Sequence, residues 1–416
     1  MASAGGSHGI ARTARRRTDE QRQQDLDRIA KYRGLEDQIR EQAKAHDYAS
    51  PALFDLTTRL LRLNPEYYTT AAWVMALEGV AEYISERHYE TAFRRLLALV
   101  LGCDPARPKV PATYEEWAEW YNNHDESTKI LEDAGAGRNS KNVANDASVL
   151  QSELAFTIPL LIEFPKCYWI WNHRSYILSL CIELLPVSLA REVWTAELGL
   201  VTKMLTKDRR NFHAWSYRRR VVARLESDVL DGKSMAEQEF MYTTKMVNQD
   251  LSNFSAWHNR SQLAPRVLDE RKADHVARKV FMEAELNLAR EALNVGPDDQ
   301  SLWYYHQFLM SQILPEYKCG ARSWSRIAPD LTLEERTDYV KREIEEIRDL
   351  LEDYKDVKWI YEALLEYSIA LDGMCKDKGT TRPKQELTEE AQTWLETLRQ
   401  LDPLRKGRWD DFAQTG

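Results

Sequence analysis

The chain has 416 residues, with 57 basic and 66 acidic side chains and a net charge of −9. That excess of acid excludes a nucleic-acid binder that works by displacing phosphate counterions with a basic face. Charged residues make up 30%, with only 16 glycines and 14 prolines, which suits long exposed helices and not a turn-rich β fold.

Residues 8–17 read HGIARTARRR, where Arg12, Arg15, Arg16 and Arg17 have no apolar stretch behind them. This is no secretory leader, and residues 1–20 are expected to form a flexible basic tail. No later run approaches the roughly 18 apolar residues of a membrane span, so no transmembrane segment is expected. A first turn-and-tryptophan unit, LNPEYYTTAAW, ends at Trp73, with Ala76 where later units carry arginine. Residues 78–145 hold the unpatterned PARPKVPATYEEWAEWYNNHD and EDAGAGRNSK and read as an insertion, in which TAFRRLL at 91–97 is a source for the missing arginines.

A repeat follows. FPKCYWIWNHR, DRRNFHAWSYR, DLSNFSAWHNR and GPDDQSLWYYH align on Trp171, Trp215, Trp257 and Trp303, which are 44, 42 and 46 residues apart. Three residues after the first three tryptophans stand Arg174, Arg218 and Arg260; three before them stand Tyr168, Phe212 and Phe254. A glutamate lies 18 residues before each tryptophan: Glu153, Glu197, Glu239 and Glu285. In ELGLVTKMLTKD the apolar Leu198, Val201, Met204 and Leu205 recur at helical intervals. One unit is therefore helix, polar turn and helix over about 40–45 residues, as in helical solenoids. The tryptophan and the preceding aromatic are expected to fill the seam between hairpins. The arginine, one turn on, has a planar five-donor head that reaches either a turn carbonyl or a carboxylate of a neighbouring hairpin, with the upstream glutamate one candidate. Degenerate units end at Trp359 and Trp409 and lack the arginine, so the repeat domain is read as 21–416. Five cysteines without CxxC spacing and nine histidines without HExxH predict reduced, buried thiols in a cytoplasmic protein and no self-contained metal site.

These stretches resemble the α-subunit repeat of protein prenyltransferases, and within that family the type II, or Rab geranylgeranyltransferase, branch in its short fungal form. The start (the helix through IAKYRGLEDQIREQ, then LTTRLLRLNPEYY) and the end, LDPLRKGRWDDF, resemble it too. Phe212 stands where the α subunit shared by farnesyltransferase and the type I enzyme has tyrosine; that subunit and a noncatalytic helical scaffold are the rival readings. The resemblance implies an all-α, right-handed superhelix of antiparallel helical hairpins, inactive without a β subunit that holds zinc and the lipid pocket. It also implies geranylgeranyl diphosphate as donor and a Rab GTPase, presented by an escort protein, as acceptor. Lys166, in Pro165-Lys166-Cys167-Tyr168, then takes the role of the lysine that stabilises diphosphate charge. Tyr168, Phe212, His213 and His258 are placed near the substrate or β-subunit face, with His213 and His258 in similar places in successive repeats.

Overall fold

The computed structural model describes residues 18–44, 51–64, 140–314, 326–375 and 387–415, which are helical with short turns and no strand among them. The tail through residue 17, Trp73 and most of the insertion lie outside the described residues, while residues 140–145 begin a helix. The chain divides into two compact units between Leu198 and Gly199.

In the first unit, α1 (Asp19–Lys44) pairs with α2 (Pro51–Leu63), and α3 (Ser140–Glu163) with α4 (Tyr168–Leu184). Leu35 and Ile39 of α1 interdigitate with Leu56 and Leu60 of α2, and the Asn64 amide donates to the Tyr32 hydroxyl at 3.3 Å. Helix α5 (Val187–Lys207) runs across the unit boundary. In the first unit its Trp194 is buried and donates to the Leu178 carbonyl at 3.1 Å.

The second unit continues with α6 (Phe212–Leu225), α7 (Ala236–Gln249), α8 (Phe254–Glu270), α9 (His275–Val295) and α10 (Gln300–Ile313). It ends with α11 (Leu333–Asp353), α12 (Lys358–Cys375), α13 (Glu389–Leu401) and α14 (Lys406–Thr415). Consecutive helices pack as hairpins: α7 on α8, α9 on α10, α11 on α12, and α12 on α13. Polar caps set where the helices begin. Asn211 accepts from the His213 and Ala214 amides at α6, Asn253 from Ala256 at α8, and Asp299 from Ser301 at α10. Thr332 and Glu335 form a reciprocal capping box at α11. Each cap occupies backbone donors that the helix itself leaves unpaired. None of the described helices is long and apolar enough to cross a membrane.

Candidate functional site at the hairpin turns

The tryptophans fix the turns. Each buried indole reaches back six residues and donates to a turn carbonyl: Trp171 to Pro165 at 2.9 Å, Trp215 to Arg209 at 2.8 Å, Trp257 to Leu251 at 2.7 Å and Trp303 to Pro297 at 2.6 Å. One side chain thus fills the hairpin core and pins the backbone of its own turn. Downstream of that carbonyl the register repeats. The next residue is Lys166, Arg210, Ser252 or Asp298, and the one after is the cap position, Cys167, Asn211, Asn253 or Asp299. Cys167 is buried and makes no side-chain cap, so the Lys166 turn rests on the indole and on a Cys167 amide bond to the Phe164 carbonyl at 3.1 Å.

The aromatic three residues before the tryptophan does not fill the seam, contrary to expectation. Tyr168, Phe212 and Phe254 are 61%, 56% and 51% exposed. Each is the first residue of its helix, where no further turn lies above it to pack against. Tyr304 is also exposed and meets Phe254 edge-on at 6.1 Å. Each of these turns therefore presents an aromatic ring instead of hiding it.

The arginines choose the glutamate of the following hairpin. Arg174 grips Glu197 through two hydrogen bonds of 2.7 and 2.6 Å, Arg218 grips Glu239 at 2.8 and 2.5 Å, and Arg260 grips Glu285 at 2.7 and 2.6 Å. The remaining guanidinium nitrogen donates back to a threonine on the preceding helix: Thr157, Thr202 and Thr244 respectively. One arginine thus ties three successive helices, using the forked donor geometry a lysine lacks. Glu153, at the head of the register, meets His173 at 3.3 Å.

Two variants of this clamp escaped sequence reading. His306 holds the arginine position after Trp303, with Nε2 3.0 Å from buried Glu343 and Nδ1 3.0 Å from the Tyr367 hydroxyl. Glu343 also accepts from Arg290. Burial pushes the Glu343 carboxyl up, but hydrogen bonds from His306 and Arg290 outweigh it and hold the pKa at about 2. After Trp359 the polarity reverses: buried Glu362 stands in the arginine position and takes Arg408 at 2.7 Å and Arg405 at 3.3 Å from the C-terminal segment. The signal for both lay at the third residue after the tryptophan.

Among the predicted site residues, Lys166 and Tyr168 lie in the first unit and Phe212, His213 and His258 in the second. Lys166 is exposed on its pinned turn. Its register mate Arg210 holds Asp250 through two 2.8 Å bonds, and that contact depresses the Asp250 pKa despite burial. His213 and His258 do not occupy similar places. His213 precedes its tryptophan by two residues and is buried against Phe212, with ring centres 3.9 Å apart. His258 follows its tryptophan directly, is exposed and stacks on Phe254 at 6.1 Å. Cys167 and Cys181 are buried, and burial, then the nearby Glu197 charge, pushes the Cys181 thiol up to about 12. Among the described residues, no three His, Cys, Asp or Glu side chains converge as a metal site.

Chemically, the first unit's turn offers the exposed Lys166 ammonium beside Tyr168, and the second unit's turns offer the exposed Phe212 and Phe254 rings. These groups suit surface recognition and charge stabilisation.

Comparison with known proteins bears on which reaction. Residues 150–181, 194–225, 236–266 and 282–313 match the protein prenyltransferase alpha subunit repeat. Each stretch contains one of the four tryptophans with the residue three positions on. The chain is 32% identical over 258 residues to the geranylgeranyl transferase type-2 subunit alpha of Saccharomyces cerevisiae, covering 62% of this chain and 71% of that protein. It is 27% identical over 414 residues to the Candida albicans protein of the same name, covering 94% and 92%. Against the Schizosaccharomyces pombe protein it is 30% identical over 219 residues, covering 52% of this chain and 60% of the relative. With four matched repeats and that likeness across most of the yeast sequence, the chain belongs to the protein prenyltransferase alpha-subunit family, among the geranylgeranyl transferase type-2 alpha subunits.

Proposed function

We propose that this chain is the α subunit of a heterodimeric protein geranylgeranyltransferase type II. It pairs with a β subunit and supports transfer of geranylgeranyl from geranylgeranyl diphosphate to C-terminal cysteines of Rab GTPases presented by an escort protein. The observation that carries the reading is the turn at Lys166: an exposed ammonium on a backbone pinned by the Trp171 indole and flanked by exposed Tyr168. In the transfer, the acceptor sulfur forms a bond to C1 of the lipid while the C1–O bond breaks and diphosphate leaves. Negative charge on the leaving oxygens peaks in the transition state, and a compact ammonium held at that point lowers the barrier. Zinc, carried by the β subunit in this reading, supplies the acceptor cysteine as a thiolate. Tyr168 in the first unit, and Phe212 and Phe254 in the second, each offer the β subunit an exposed aromatic ring of the kind that dominates binding energy at interfaces.

Reconstitution tests this. Co-expression with a prenyltransferase β subunit is expected to give a stable heterodimer that prenylates a Rab–escort complex. Failure to associate supports the scaffold reading, and transfer to a CaaX acceptor instead of the Rab C-terminus supports the farnesyl and type I reading.

A further inference from the structure

Helix α6, FHAWSYRRRVVARL, carries four arginines and no acidic residue in a chain whose net charge is −9. One of the four, Arg218, is neutralised by Glu239. Arg219 is different. It is half-buried, and burial alone pushes its pKa down, because no hydrogen-bonding or ion-pairing group of its unit reaches the guanidinium among the described residues. Arg336 makes the contrast: burial lowers it too, but it donates to the Leu331 carbonyl at 3.0 Å and the Pro329 carbonyl at 3.1 Å. A partly desolvated guanidinium without an acceptor is costly to keep unless something else completes it.

Its place on the helix sets it in line with an exposed aromatic. Seven residues separate Phe212 and Arg219, which puts them on one face two turns apart, with exposed Ser216 between them. The stripe thus pairs an exposed aromatic with an arginine, the two residue types most enriched among interface hot spots.

Resting on the α-subunit reading above, we propose that Arg219 is a recognition residue of the heterodimer: its guanidinium receives a carboxylate on the facing surface of the β subunit, beside Phe212. Part of the head is already out of water in this subunit, so the partner carboxylate meets a donor with little hydration left to shed.

The experiment measures heterodimer affinity for the full-length chain and its cognate β subunit across a salt series. Arg219→Ala is expected to weaken binding by about tenfold or more and to flatten the salt dependence. Arg219→Glu weakens it further, and a lysine placed at the matching acidic residue of the β subunit restores binding to Arg219→Glu alone. That rescue is a readout no folding role reproduces. If Arg219→Glu binds with wild-type affinity and salt slope, or if no acidic residue of the β surface gives rescue, the assignment is overturned while the α-subunit reading stands. If the wild-type chain binds no β subunit, both fall.

Discussion

Arg218 and Glu239 meet in a two-point ion pair, with Nε 2.8 Å from one carboxylate oxygen and an η nitrogen 2.5 Å from the other, both side chains about 5% exposed or less. The pair ties α6 to α7, and its third donor reaches Thr202 on α5 at 2.7 Å. The guanidinium also lies 3.5 Å from the centre of the Tyr242 ring. Removing one partner strands the other charge in the core. Arg218→Ala and Glu239→Ala are each expected to destabilise the protein by about 3–5 kcal/mol, read by chemical denaturation. The double variant Arg218→Met, Glu239→Leu is expected to cost much less than the two single changes together. Additive costs would mean the two charges are not coupled.

In the proposed function Lys166 serves the chemistry and not the clamp. It is exposed on a turn already held by the Trp171 indole, so truncating it leaves the fold intact. In the assembled heterodimer, Lys166→Ala is expected to lower the single-turnover prenylation rate by roughly 10²-fold, in line with the loss of one preorganised charge-stabilising group. Heterodimer affinity is expected to stay at the wild-type value. Unchanged turnover would remove Lys166 from the mechanism.

The C-terminal segment is docked on the Glu362 and Glu366 carboxylates through Arg408. Burial, with the adjacent Glu362 charge adding to it, raises Glu366 to about 7, against the offsetting pull of Arg408 and Arg405. Its ordinary value is 4.5, so between the two values the folded chain holds a proton that the unfolded chain has lost. Stability is therefore expected to fall as pH rises from 4.5 to 7 and to level off above that, by on the order of 3 kcal/mol from this group. Glu343, held at about 2, sheds its contribution only in stronger acid and leaves that window flat. Melting curves of wild type and Glu366→Gln at mildly acid and mildly alkaline pH check this: the variant is expected to lose the slope and be the more stable protein on the alkaline side.

The sequence revealed the repeat because tryptophan spacing and the upstream glutamate are one-dimensional facts. It did not reveal which glutamate each arginine takes. Glu153 and Glu197 flank Arg174 at similar chain distances, and only the packing of helices hands Arg174 to Glu197 and leaves Glu153 to His173. The clamp at His306 was equally opaque, because an imidazole offers a donor in the arginine's place without looking like one. Helical arithmetic places Phe212 and Trp215 on one face and so predicts burial for both, but it carries no account of where a helix stops. In the sequence, the role proposed for Lys166 is legible through family likeness alone, since a turn lysine carries no local mark of chemistry there.

That difference between neighbouring aromatics yields the last prediction. Trp257 is buried and donates to the Leu251 carbonyl, whereas Phe254, three residues earlier, is half exposed. Trp257→Phe keeps an aromatic in the core but orphans a turn carbonyl and leaves a void, for an expected loss of about 1–3 kcal/mol in the isolated chain. Phe254→Ala deletes a larger share of its ring yet removes little buried area, so the isolated chain is expected to change by about 0.5 kcal/mol or less. In the heterodimer the ranking is expected to invert, with Phe254→Ala costing affinity, since the proposed contact buries what the isolated chain exposes. Denaturation of each variant alone, set beside its β-subunit affinity, separates the two roles. A Phe254→Ala chain that melts early by itself would place that ring in the hairpin core after all.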